Sequence, residues 1–408
     1  MCKSESPKIH LNNIHLRRLE MTCRFRCRPF YWCMFRILST FFSLVGLAVC
    51  VFTLSLLQVR ELSRLAGQDS RFDLSATPKS LLNRHVCSPC LEKQTNTTRH
   101  TRNCGKVLIK PTMRSNKRFE IKCENKKSVS VMGDMPEDTS AFMLTLKDPC
   151  LKQYVKQHCY DKKKVPRIVH YVWFTKHTMD VYAFLSVLSA ARFLNPCVIM
   201  FHADYLPFGP YWKNLMRTVK NILFVRRQAP ERIFGKRLGF IQHKSDIARI
   251  EALKEYGGIY LDCDQLVLKS FDDLRDYDFV MGHENSKNLG NSIMVSIPNA
   301  RFLTIWHDSY RTYNPRQWGI HSTFVPFRLA QENPSLIHIE NDTLINPDLG
   351  RIEDVYSGHF NWTNNYAIHL YTRWVKKSYT LSQFRTMDTA IGQIVRLILY
   401  GSPVLCKE

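Results

Sequence analysis

Residues 167–174, RIVHYVWF, form an almost unbroken run of β-branched and aromatic side chains and read as a strand. A helical pattern over 179–193 follows, then a second strand at 198–202 and apolar runs of strand length at 222–225, 259–261, 279–282 and 292–297. Strands alternating with helices predict an α/β fold with a mainly parallel sheet over residues 165–408. Within it the stretch SDIARIEALKEY, 245–256, has helical character. Ser245 is a natural N-cap, and Ile247, Ala248, Ile250, Ala252 and Leu253 can supply the buried side. Gly257 or Gly258 can take the left-handed conformation that ends a helix, and the chain turns at once into Ile259-Tyr260-Leu261.

Alternation along that strand sends Ile259, Leu261 and Cys263 to one face and Tyr260, Asp262 and Asp264 to the other. Both carboxylates then point the same way at a strand end, where ligands of open α/β sheets bind. Asp246 and Arg249, three apart, share a side of the preceding helix. Two like charges are costly to bury without a cation or a proton. A divalent cation bridging Asp262 or Asp264 to a diphosphate would compensate them, since Mg²⁺ and Mn²⁺ favour one or two carboxylates plus phosphate oxygens. Other readings of the pair fare differently. A calcium EF-hand loop fails, because Leu266 and Val267 stand where an acid or Asn and then Gly are required. A haloacid-dehalogenase-like phosphatase, with Asp262 as nucleophile and Asp264 as acid and base, suits a strand followed by two spaced aspartates, but Leu266 and the paired glycines do not belong to its pattern. A glycosidase needs two carboxylates flanking a sugar, which adjacency does not provide. The plainest alternative is an exposed amphipathic strand edge.

Charge changes the picture of the chain ends. The 408 residues are 45% hydrophobic and carry a formal net charge of +23, which in a soluble protein would suggest nucleic acid. The excess is unevenly placed. Residues 37–59 hold no charge and are long enough to span a bilayer, while residues 1–36 have a net charge of +6, which puts the N-terminus in the cytosol. Residues 60–164 carry +11 and read as a stem, so nucleic acid is not expected as a partner. Everything past Arg60 would then be luminal or extracellular. Three Asn-x-Thr triplets, at Asn96, Asn341 and Asn361, agree with that placement, as do nine cysteines beyond the apolar run. Local disulfides are expected among the six stem cysteines. The odd count leaves one thiol over, for which Cys263 is the candidate.

The full string SDIARIEALKEYGGIYLDCD resembles the DXD-containing sugar transferases of the GT-A fold, a group that includes the lactosylceramide α-1,4-galactosyltransferases, the yeast α-1,6-mannosyltransferases and the clostridial glucosylating toxins. The likeness rests on Ser245, Asp246, Arg249, Gly257, Gly258, Tyr260, Asp262 and Asp264. Residues 165–173, VPRIVHYVW, resemble the family's opening strand, and YAIHLYTRW, 366–374, its C-terminal "A-x-H-x-W", with Tyr371 where Trp is common.

The resemblance implies a GT-A, Rossmann-like domain behind a cytosolic tail (1–36), a signal anchor (37–59) and a stem (60–164), the plan of Golgi type II membrane enzymes. It further implies transfer of a hexose or N-acetylhexosamine from a nucleotide diphosphate sugar, such as a UDP-sugar, to a glycan or glycolipid hydroxyl, with Mn²⁺ or Mg²⁺ and with retention of configuration. Trp173 would stack on the base, Asp246 and Tyr260 would contact the nucleoside, and Arg249 would approach the diphosphate or the sugar. Asp262 would hold ribose and help the metal, Asp264 would ligate it, and His369 would complete the site. Asn291, in the Gly290-Asn291-Ser292 loop, and nearby Glu284 are candidates for contacts at the reacting carbon. A luminal lectin or scaffold on the same fold is the non-catalytic alternative.

Overall fold

The structure, a computed structural model, describes residues 101–102, 104, 120–123, 126–130 and 144–407, within the unit Gln94–Glu408. The expected anchor at 37–59, Asn96 and most of the stem lie outside the described residues. Among those described, no helix is long and apolar enough to cross a membrane.

In chain order the elements that matter are β1 (Leu144–Thr145), α1 (Pro149–His158), β2 (Ile168–Trp173), α2 (Val181–Leu194), β3 (Val198–Ala203), α3 (Pro210–Thr218), β4 (Ile222–Arg226), α4 (Ile241–Tyr256), β5 (Gly258–Leu261), β6 (Gln265–Val267), β7 (Phe279–Asn285), β8 (Asn288–Ser296), β9 (His338–Glu340) and β10 (Ala367–His369). Eight of the strands form one sheet in the order β9-β7-β8-β5-β2-β3-β4-β1. All of its pairings are parallel except those that β8 makes with β5 and β7. The expected α/β architecture and parallel-rich sheet are therefore present.

Period-two burial shows why the sheet is central. Ile259, Leu261, Val280, Ile293 and Val295 pack into one apolar cluster with α2, whereas Tyr260, Phe279, Met281 and Met294 pack into another with α4 and the helix Arg301–Ser309. β5, β7 and β8 therefore feed both clusters, one on each face of that part of the sheet.

Three expectations change. Ser245 does not cap α4, which starts four residues earlier behind Phe240, with no side-chain cap bond. The earlier turn is held by tertiary packing instead: His243 is buried, and its Nδ1 lies 2.6 Å from the Tyr313 hydroxyl. The sheet also reaches upstream of Val165, because Leu144 pairs with Val225. The described disulfides are not local to the stem. Cys104 joins Cys406, beside the parallel pairing of Thr101–Arg102 with Leu405–Cys406, and Cys159 joins Cys197, tying the end of α1 to the start of β3. Among the described residues Cys263 is the free thiol, half-buried at the edge of the core.

The helix-to-strand turn requires both glycines. Gly257 has φ +64° and Gly258 φ +105°. A Cβ on Gly257 would come within 2.7 Å of Pro298, and one on Gly258 within 2.7 Å of the Ile168 carbonyl oxygen. The turn therefore lies wedged between β2 and the end of β8.

His170, at the centre of β2, clamps this turn. Its Nε2 lies 2.8 Å from the Gly257 carbonyl oxygen and its Nδ1 2.9 Å from His202 Nε2. A carbonyl only accepts, so His170 carries its proton on Nε2 and receives one at Nδ1 from His202, whose own Nδ1 has no partner. Burial pushes His170 down to about 4, against the pull of the Gly257 carbonyl, and pushes His202 well below the usual range. Both imidazoles titrate near their ordinary value of about 6.5 when unfolded, so unfolding takes up protons between that pH and the folded values. Their contribution is complete above about pH 6.5 and is lost as pH falls toward 4. For His170 it amounts to about 3 kcal/mol. Urea midpoints of the folded domain should fall steadily from pH 7 to 4.5, and His170→Gln, which can still donate to Gly257, should flatten that slope. A wild-type midpoint independent of pH would contradict the assignment.

Candidate active site

Asp262, Cys263 and Asp264 form a tight turn directly after β5, in which the Gln265 amide donates to the Asp262 carbonyl at 3.0 Å. Strand geometry ends at Leu261, so alternation alone does not aim the two carboxylates. A second segment completes the arrangement. β10 pairs antiparallel with β6, setting His369 opposite Gln265. The Leu370 amide then donates to the Asp264 carbonyl, and the Thr372 amide and hydroxyl reach Asp264 Oδ2 at 2.9 and 3.1 Å. Between them Tyr371 adopts φ +50°, uncommon for an aromatic residue, which lets the chain wrap one aspartate.

The result is a converging triad. One ligand atom from each of Asp262, Asp264 and His369 lies within 4.8 Å of the others, and His369 Nε2 is 3.2 Å from Asp264 Oδ1. Two carboxylates and an imidazole are a donor set that suits Mn²⁺ or Mg²⁺, so the residues fit the expected cation. The side chains of Asp262 and Asp264 keep 27% and 17% exposure. Burial raises Asp262, and Asp264 beside it adds to the rise, while Arg249, His369 and Tyr260 oppose it. Burial would raise Asp264 as well, but His369 and Thr372 outweigh it and bring the group down to about 2. His369 is raised: burial opposes its charge, and Asp264, Asp262 and Glu284 more than compensate.

Asp262 and Asp264 border a cavity of about 400 Å³ that Trp173, His177, Arg249 and Tyr260 also line. Tyr260 donates to Asp262 Oδ1 at 2.6 Å, and Arg249 reaches the same oxygen at 3.1 Å with its guanidinium over the Tyr260 ring. Burial disfavours the Arg249 charge, yet Asp262, Tyr260 and Asp246 hold its pKa above the ordinary value. It is a permanent cation.

Asp246 and Asn291, expected at the nucleotide sugar, are not among the lining residues and stand behind Arg249. Asp246, 2% exposed, accepts from Asn291 Nδ2 at 2.8 Å and from the Ser322 hydroxyl at 2.5 Å. Asn291 accepts from Arg249 through its backbone carbonyl and its side chain. Both therefore fix the guanidinium. Ser322 belongs to a π-helical turn, Ile320–Phe324, that follows Gly319 at φ +73°; such turns recur at functional sites, and no local sequence signal marks this one.

Trp173 carries a covering that sequence reasoning missed. His177 stacks on the indole with ring centroids 3.9 Å apart, so the exposed imidazole stands where an incoming ring would meet Trp173. Glu284, raised chiefly by burial, lines a second cavity of about 410 Å³ with Asp342, Asp348 and Asn341, and interacts electrostatically with His369.

Comparison with known proteins accords with this site. Residues 113–280 match a model of the family described as "Glycosyltransferase sugar-binding region containing DXD motif". The chain is 33% identical over 243 residues to glucan organizing enzyme 1 of Cryptococcus neoformans var. grubii, across 53% of this chain and 66% of that protein, so it spans just under two thirds of that relative's length. Among solved structures, the PaToxG glycosyltransferase aligns at 15% identity and TM-score 0.31 over 42% of this chain and 71% of that one. Mouse xyloside xylosyltransferase 1, in its apo form, aligns at 12% and 0.33 over 49% and 96%. These structural likenesses are too slight to bear on fold or chemistry. His369 falls outside the matched segment and is brought to it by the β6–β10 pairing. Over residues 113–280 the chain is thus similar to the family of DXD-motif glycosyltransferase sugar-binding regions.

Proposed function

We propose that the chain, similar over residues 113–280 to DXD-motif glycosyltransferases, moves a hexose or N-acetylhexosamine from a nucleotide diphosphate sugar, a UDP-sugar first among candidates, to a glycan or glycolipid hydroxyl. The observation that carries this reading is the convergence of Asp262, Asp264 and His369 at the edge of the cavity that holds Arg249, Tyr260 and Trp173. Those three ligands would hold Mn²⁺ or Mg²⁺, which when bound neutralises charge developing on the leaving diphosphate. Arg249 stabilises the same charge from a fixed position. Tyr260 orients Asp262, and Thr372 orients Asp264. Trp173, through His177 stacked on it, offers the platform for the base. Transfer breaks the bond from the anomeric carbon to the diphosphate oxygen and forms one to the acceptor oxygen, whose proton leaves with the diphosphate. Retention of configuration is what the family resemblance implies, and attack from the same face as departure accommodates it without a covalent nucleophile.

The remaining parts of the reading rest on the sequence. A type II Golgi membrane protein, anchored by residues 37–59 with the fold in the lumen, accounts for the basic tail. Asn341 and Asn361 are both exposed, as glycan acceptors must be. The phosphatase alternative fares worse, because Oδ1 of its nucleophile, Asp262, is held by Tyr260 and Arg249, and its acid and base, Asp264, is held by His369 and Thr372. Purified luminal domain titrated with UDP- and GDP-sugars, with and without Mn²⁺, should bind and slowly hydrolyse at least one donor only when the cation is present. Binding without turnover would indicate a lectin, and phosphate trapped on Asp262 would indicate a phosphatase.

A further inference from the structure

The second cavity borders the strand pair that carries the site: Glu284, in its wall, stands 3.6 Å from where a Cβ on Gly290 would lie, and the next residue, Asn291, holds Arg249. Glu284, two residues beyond Gly282 in β7, lines it and interacts electrostatically with His369. Tyr371 packs beside the triad. Its ring lies 3.9 Å from that of His369, and its hydroxyl, in a side chain only 3% exposed, has no hydrogen-bond partner. A buried hydroxyl left unpaired costs free energy unless a ligand or water completes it.

The two cavities differ in charge. The first sets two guanidiniums, Arg249 and Arg373, against Asp180, Asp262 and Asp264, and a divalent cation held by the last two would leave it positive and suited to a diphosphate. The second, of similar size, is lined by three carboxylates, Glu284, Asp342 and Asp348, by the amides of Asn285, Asn341 and Asn346, by His283 and Ser286, and by one guanidinium, Arg351, which also approaches Asp354. Carboxylates accept bonds from sugar hydroxyls, amides both accept and donate them, and the carboxylates repel anions. We propose that this cavity is the acceptor subsite, and that it selects uncharged sugar hydroxyls while rejecting sialylated, sulfated, phosphorylated or uronic acid acceptors. The assignment rests on the transferase reading and adds the class of acceptor to it.

The test uses the full luminal domain, enzymatically deglycosylated because Asn341 heads an N-glycan triplet at the cavity rim. Once its donor is found, methyl galactoside, methyl mannoside and lactose are compared with methyl glucuronide, mannose 6-phosphate and sialyllactose. The neutral acceptors should be preferred. Glu284→Gln and, on the exposed loop, Asp342→Asn, which keeps the triplet, should each raise kcat/KM for the anionic set relative to the neutral set by roughly tenfold. The change should be read in the acceptor KM, with the donor KM in hydrolysis as the comparison. Donor hydrolysis with an unaltered anionic-to-neutral ratio in both variants overturns the subsite and leaves the transferase reading standing. No turnover of any nucleotide sugar overturns both.

Discussion

Replacing Asp264 with Asn is expected to lower sugar transfer and donor hydrolysis by on the order of 10³-fold while the protein stays folded. The two effects separate because the carboxylate's roles separate. Its Oδ2 accepts from the Thr372 amide and hydroxyl, and an amide oxygen can take over those bonds. What asparagine cannot replace is the negative charge shared with Asp262 and His369. Removing that charge also relieves repulsion on Asp262, whose carboxyl its neighbour pushes up. The favourable pairing with His369 that helps bring Asp264 down to about 2 is lost as well, so the thermal midpoint should fall by several degrees with the fold intact, corresponding to about 2 kcal/mol. Calorimetric titration with Mn²⁺ in the presence of UDP should show the loss of cation binding directly. Wild-type turnover by this variant would remove the triad from the mechanism.

Legibility from sequence followed the range of the interactions. The strand runs around Val169, Ile199, Leu223 and Ile259 fall within one or two residues of β2, β3, β4 and β5, because burial on both faces imposes unbroken apolar runs. The need for glycine between α4 and β5 was readable too, since no other residue fits between a helix end and two flanking strands. The two-residue β1 was not, being too short to show a period and set in a basic stretch. Ser245 looked like a cap because capping is judged locally, whereas the true start of α4 depends on Tyr313, seventy residues on. The inward turn of Asp246 was hidden for the same reason, since its partner Ser322 comes from a distant π-helical turn. His170 belonged to a recognised motif without an assigned task. Its bond to Gly257 supplies one, because the opening strand and the turn before the aspartates are fastened through it.

Arg249→Met should both inactivate and destabilise, and the second effect distinguishes a buried network from a surface contact. Arg249 is 4% exposed and faces Asp262 at 3.1 Å and Asp246 at 3.6 Å. Removing it leaves Asp246, 2% exposed, without its cation, at a cost of about 3–5 kcal/mol. Most of that cost is the stranded charge and not the lost attraction, so it should be recoverable. Adding Asp246→Asn to Arg249→Met keeps an acceptor for Ser322 and removes the unpaired carboxylate. The double variant should regain about 2 kcal/mol in urea unfolding relative to the single one, a coupling that residues acting independently would not show. Activity should remain absent in both, because no cation replaces the guanidinium above Tyr260. Equal stability of the single and double variants would mean that water already solvates Asp246, and the ion pair would then contribute to catalysis alone.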